Sequence, residues 1–205
     1  MKITIIGAGN VGGALAKCWA KANHKIFLGI RNLSSSDAKE LEKQFSNISS
    51  HAIEEAINQA EVVLFSTPPD VAVEIAKKNP QLKNKIVIDA TNSLFKKPEP
   101  YKTAFEGIKK EIGCEHIVKC FNSTGFENME NPLYDGVGID MFVAGSSKEA
   151  KDASVQLSKD AGFAECYDFG GDDKVELLEQ FAMGWINLAI LQKQGRNIAF
   201  KVLRR

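Results

Sequence analysis

The chain has little of what marks several large classes of protein. It holds four cysteines, Cys18, Cys114, Cys120 and Cys166, and no C-x-x-C pair. That scatter excludes a disulfide framework and a thioredoxin-like redox motif, and suits reduced, buried thiols. The three histidines, His24, His51 and His116, have no neighbour at metal-ligand spacing, so no metal is expected. His24 in a polar turn and His51 ahead of a helix read as surface residues. Neither G-x-S-x-G nor H-E-x-x-H occurs. Lys plus Arg and Asp plus Glu both number 26, which leaves no excess charge to draw nucleic acid or an anionic membrane. No apolar run is long enough to span a bilayer. A strand starts at once, which leaves no room for a signal peptide, so a cytoplasmic location is expected. Repeats, low-complexity segments and Pro/Ser-rich linkers are also missing, and 205 residues suit a single domain over 1–205.

What is present begins at residue 2. Ile3 to Ile6 is an apolar, β-branched run that reads as a buried strand. The run Gly7-Ala8-Gly9-Asn10-Val11-Gly12 follows directly, and Ala14 to Ala20 then has helix-forming residues with an apolar face. G-x-G-x-x-G between a strand and a helix is a dinucleotide fingerprint. Gly7 permits the tight turn, Gly9 lets a pyrophosphate approach the backbone, and Gly12 lets the helix pack closely on the strand. The free N–H groups at the helix start would hold the phosphates.

Strand and helix patterns then alternate. Strands are expected at 25–29, 47–50, 61–66, 85–89, 117–121, 141–144 and 165–168. Helices are expected at 36–45 with Ser36 as cap, and at 52–58, 70–78, 100–112 and 147–161 with Ser147 as cap. Residues 172–205 read as a helical tail, interrupted near Gly195. This order argues an α/β, doubly wound, mostly parallel sheet with a C-terminal helical extension. Ligands in such sheets sit beyond the carboxyl ends of the strands, so the loops after Ile6, Gly29, Phe65, Asp89 and Phe121 should line the site.

The end of the second strand bears on the cofactor's 2′ group. NAD sites usually carry Asp or Glu there, whereas this chain has Gly29-Ile30-Arg31-Asn32. Arg31 is suited to a forked pair with a 2′-phosphate, which favours NADP(H) over NAD(H). The plainer alternative is a solvated loop cation. Ser66, Thr67 and Pro68 are candidates to border the pyrophosphate and ribose, or form a simple strand-ending turn. Thr91 and Asn92 lie where the nicotinamide should sit, with Asn92 either bonding the carboxamide or starting a turn. Asn122, polar at a strand's carboxyl end, belongs beside the crevice, while Phe121 fits the core. The stretch Phe181 to Leu191 is apolar on most sides. A twofold-related copy is its expected cover, with Trp185 or its neighbours near the interface, and a fully buried intramolecular helix is the alternative.

With these residues the chain resembles the NADPH-dependent reductases of the deazaflavin coenzyme F-420, and the related nucleotide-binding domain of six-transmembrane ferric reductases. The matching stretches are Gly7 to Gly12, Gly29-Ile30-Arg31, Val118-Lys119-Cys120-Phe121-Asn122, Met141 to Gly145, Asp168-Phe169-Gly170 and Val175 to Glu179. The resemblance implies a single Rossmann-type domain, NADP(H) as cofactor, a flavin- or deazaflavin-like ring as the small-molecule electron acceptor, and a homodimer built partly from C-terminal helices. Ala8 and Ile30 stand where some members carry hydroxyl residues, and Ser93 to Pro100 departs from the deazaflavin enzymes. Direct hydride passage between stacked rings fits the lack of an evident catalytic acid. Two other activities suit the same fingerprint: an imine reductase resembling pyrroline-5-carboxylate reductase, whose relatives carry a longer helical domain, and a non-enzymatic NADP(H)-binding sensor or partner protein.

Overall fold

Short, mostly apolar runs give ten strands, which with eight α-helices stand in near-regular alternation in the computed structural model, which describes residues 1–205. In chain order these are β1 (Lys2–Ile6), α1 (Asn10–Lys21), β2 (Lys25–Gly29), α2 (Ser36–Gln44), β3 (Ile48–His51), α3 (Ile53–Gln59), β4 (Val62–Phe65), α4 (Pro69–Lys78) and β5 (Ile86–Asp89). They continue through α5 (Ala104–Ile112), β6 (Ile117–Cys120), α6 (Phe126–Glu130), β7 (Leu133–Tyr134), β8 (Val137–Gly138), β9 (Met141–Ala144), α7 (Lys148–Asp160), β10 (Cys166–Gly170) and α8 (Val175–Ile186). Eight strands form one sheet in the order β10-β9-β6-β5-β4-β1-β2-β3, parallel except where β6 meets β9. The strands β7 and β8 make a separate hairpin.

Both sheet faces are covered, which is why the strands read as continuous apolar runs rather than alternating ones. On one face Ile3, Ile5, Leu28 and Leu64 pack with Leu15 and Trp19 of α1, Leu41 of α2 and Leu157 of α7. On the other, Ile6, Val63, Phe65 and Val87 pack with Ile57 of α3, Val73 and Ala76 of α4, Ile108 of α5 and Leu178 of α8. The strand order reverses at β1, whose neighbours are β2 on one side and β4 on the other. That reversal opens a crevice at the carboxyl ends of β1 and β4.

Several local expectations are corrected. The N-cap of α2 is Ser35, not Ser36, whose hydroxyl instead points to Asp37 at 3.4 Å. The helix expected from residue 100 starts at Ala104, because Thr103 is in an extended conformation and caps it. There Thr103 accepts from Glu106 N at 3.1 Å. The tail is helical only to Ile186, followed by a π turn at Asn187–Leu191 and no regular structure over 192–205. Lys193 and Gly195 stand at positive φ, 56° and 88°, which a continuing helix forbids. His24 is buried, not at the surface, between the Met1 amine at 2.9 Å and Asp160 Oδ2 at 2.8 Å.

The last stretch of chain lies on the body as an extended strap. Asn128 Nδ2 donates to the carbonyls of Arg196 (3.1 Å) and Ile198 (2.8 Å), and Trp185 Nε1 donates to Ile198 O at 2.6 Å. Val202 N donates to Asp140 Oδ2 at 2.7 Å, and the Phe200 ring packs 4.5 Å from that of Phe181.

Candidate dinucleotide site

Parallel pairing in register brings the strand ends level: Ile6 is opposite Gly29 and Phe65, Phe65 is opposite Asp89, and Asp89 is opposite Lys119. The five loops expected to line the site therefore meet along one edge of the sheet.

The glycine turn has the geometry its spacing demands. Gly7 stands at φ +99°, which side-chain-bearing residues rarely adopt. A Cβ on Gly12 would lie 2.0 Å from Gly7 O, so α1 can approach β1 only with glycine there. A Cβ on Gly9 would meet nothing within 4 Å of the protein, so its lack of a side chain leaves open space rather than relieving a clash. Gly9 is also the N-cap of α1 and supplies no side chain to its free N–H groups. Every other α-helix carries an acid in its first turn, whereas α1 carries none. No side chain of its own first turn offsets the positive end of that helix, where an anion would bind. Asn10 begins α1 as an exposed residue and Val11 is half-buried, and Ala8 adjoins them in the turn.

A cavity of about 120 Å³ beside this turn is lined by Gly7, Gly29, Ile30, Arg31, Thr67, Pro68 and Val71. Arg31 is exposed and forms no ion pair with the protein. Asn32 Oδ1 accepts from Ser34 N at 2.9 Å, closing its own loop. The Ser66 hydroxyl donates to Ile6 O and Gly7 O at 3.1 and 2.9 Å and so braces the glycine turn. Thr67 keeps a buried hydroxyl with no partner, and Pro68 caps α4.

Farther along the edge, Asn92 and Asn122 are brought together. Asn92 Nδ2 donates to Asn122 O at 2.9 Å and Asn122 Nδ2 donates to Asn92 Oδ1 at 3.0 Å. Phe121 just before is held at φ +58°, a costly conformation for a bulky residue, while its ring packs edge-on to Trp19 at 5.5 Å. That bend directs the chain from β6 into Asn122. Thr91 is buried with an unpartnered hydroxyl, and Asn122 Oδ1 is likewise unpartnered.

Beneath these loops lies a cluster that the residue spacing did not reveal. Lys119 Nζ sits 2.6 Å from Asp89 Oδ2 and 2.6 Å from Glu179 Oε1, and all three side chains are buried. Burial alone would lower the lysine's pKa, but the two carboxylates overcome it and hold the ammonium above its usual range. Burial pushes Glu179 upward, assisted by the charge of Asp89 and opposed by Lys119. One signal was available: a lysine inside the apolar strand Ile117 to Cys120 cannot be buried without a counter-charge.

Comparison with known proteins agrees with this geometry. Residues 2–93 match the family described as NADP oxidoreductase, coenzyme F420-dependent. No curated protein sequence matches the chain at a significant level. Among solved structures, a candidate F420-dependent NADP-reductase from Arthrobacter sp. FB24 is 23% identical with a TM-score of 0.86, each chain covering 100% of the other. A hypothetical protein from Sinorhizobium meliloti is 22% identical with a TM-score of 0.73, over 100% of this chain and 96% of that one. An imine reductase from Streptomyces aurantiacus is 16% identical with a TM-score of 0.70, over 94% of this chain but 64% of its own. No helix is long and apolar enough to cross a membrane. The stretch that matches the coenzyme F420-dependent NADP oxidoreductase family model, residues 2–93, holds the glycine turn, Arg31 and the loops after β1, β2, β4 and β5, and the chain as a whole shares its fold with NAD(P)-dependent reductases.

Proposed function

We propose that the protein binds NADP(H) and transfers a hydride between its nicotinamide and a flavin- or deazaflavin-like small-molecule acceptor. The observation that carries this is the glycine turn: open space over Gly9 at an uncompensated helix N-terminus, with Arg31 and no acid at the end of β2. The pyrophosphate would lie on the turn and the α1 N–H groups. The adenosine end would enter the cavity of Arg31, Thr67 and Pro68, and the nicotinamide would reach Thr91, Asn92 and Asn122. Nicotinamide supplies the hydride when bound. The residues here bind, orient and exclude water, and none is assigned as a catalytic acid.

Arg31 sets the expected preference. A charge-assisted pair with a 2′-phosphate contributes about 1.5–3 kcal/mol, so Arg31→Ala should weaken NADPH roughly ten- to a hundredfold and leave NADH nearly unchanged. Calorimetric titration of both nucleotides measures this. Equal NADPH affinity before and after the change would contradict NADP(H) selection by this residue. Turnover of NADPH with flavins and deazaflavins, set against tight binding without turnover, separates an enzyme from a sensor.

The proposal includes a homodimer. Trp185 is buried within the chain and bonded to the strap. Its neighbours supply the surface instead, since Leu177, Leu188, Ile190 and Leu191 are exposed on α8 and the turn after it. Exposed apolar side chains mark association sites where they gather on one face. Light scattering at micromolar protein should give twice the chain mass, and a monomeric mass across dilution would remove the dimer.

A further inference from the structure

Burying an ion cluster is a poor way to gain stability, because desolvation commonly cancels the attraction. The cluster of Lys119, Asp89 and Glu179 therefore calls for another account, and its remaining bonds supply one. Asp89 Oδ1 accepts from Thr91 N at 2.9 Å, Lys119 Nζ donates to Thr91 O at 2.9 Å, and Glu179 Oε2 accepts from Ser93 N at 2.9 Å. Three backbone groups of the short segment 91–93 are thus each fixed by a buried charge, drawn from β5, β6 and α8. Apolar side chains of the same volume would fill the space and fix none of them.

Two polar atoms, one in the segment held this way and one in the loop beside it, are unmet. Thr91 is 4% exposed, and its Oγ1 has no partner. Asn122 is also 4% exposed, and its Oδ1 has none. The two loops are joined by the reciprocal Asn92–Asn122 bonds. A hydroxyl can donate and an amide oxygen can only accept, so together they match a primary carboxamide, which offers a carbonyl and an NH₂. Nicotinamide carries that group.

We infer that Lys119, Asp89 and Glu179 are positioning residues: they lock segment 91–93 so that Thr91 and Asn122 grip the carboxamide of the nicotinamide ring. This rests on the dinucleotide function proposed above. The cluster does not touch the ring and acts only through the loop it holds.

Glu179→Gln keeps the side-chain volume and removes one charge. Thr91→Val removes the hydroxyl without touching the ion cluster, and stands in its place if the first variant fails to fold. Two probes separate the ends of the cofactor: adenosine 2′,5′-bisphosphate reads the Arg31 end, and the fluorescence gain of NADPH on binding reads the ring. Both variants should keep bisphosphate affinity within about twofold, lose about tenfold in NADPH affinity, and lose most of the fluorescence gain. Unchanged NADPH affinity and fluorescence in either folded variant would overturn the inference. A parallel loss for both probes would also overturn it, since that is what a merely structural role produces. Wild-type protein that binds neither probe would overturn the dinucleotide function and this inference with it.

Discussion

Gly9→Val should fold normally and lose dinucleotide binding altogether. Gly9 sits at φ −76° and ψ −158°, an extended conformation that a β-branched residue adopts readily. A Cβ there meets no protein atom within 4 Å, so the valine has room in the unliganded fold. The same room is where a pyrophosphate must approach the backbone. Its loss should raise the dissociation constants of NADPH and NADH by at least about a hundredfold, ~2.7 kcal/mol. Thermal melting makes the contrast visible. In the wild type, NADPH at a hundred times its dissociation constant adds about 2.7 kcal/mol, which for a chain of this size is roughly 5–10 °C. The variant should melt within a few degrees of unliganded wild type and show no NADPH shift. A folded Gly9→Val that keeps the full shift would place the nucleotide elsewhere.

The second large effect is on stability. Lys119→Ala leaves Asp89 and Glu179 buried without the ammonium that lies 2.6 Å from each. Removing one partner of a buried ion group costs about 3–5 kcal/mol, a sizeable share of the roughly 5–15 kcal/mol that holds a domain together. Urea unfolding followed by circular dichroism should show a large drop in midpoint. Part of it should return when Asp89→Asn and Glu179→Gln are added, because the neutral set no longer holds two facing carboxylates. A Lys119→Ala midpoint indistinguishable from wild type would mean that water reaches the cluster.

Different kinds of residue carried different amounts of this structure in their order. Strands buried on both faces are apolar runs of four or five residues, and β2 (Lys25–Gly29) and β9 (Met141–Ala144) match their expected bounds. The glycine turn was legible because its three constraints act within six residues. The brace from Ser66 was not, because the carbonyls its hydroxyl reaches lie 59 and 60 positions away. The buried cluster draws on positions 89, 119 and 179, which no local spacing joins. The hairpin at 133–138 had a signal that went unread, Asp135-Gly136 between Tyr134 and Val137, and both turn residues do stand at positive φ. The tail departs from the expected helix after Leu191, where the apolar run gives way to Gln192–Asn197 and φ reverses at Lys193 and Gly195.

The extended strap closes against the body in part through the body's own side chains. The indole of Trp185 and the amide of Asn128 reach strap carbonyls, and the carboxylate of Asp140 reaches a strap N–H. Backbone groups are the same whatever residue bears them, so the route of residues 196–202 is encoded largely in positions 128, 140 and 185. The strap's own side chains add to this at Arg196, which forks onto Glu127, at Phe200 and at Lys201, so substitution of the other strap residues should leave its route unchanged.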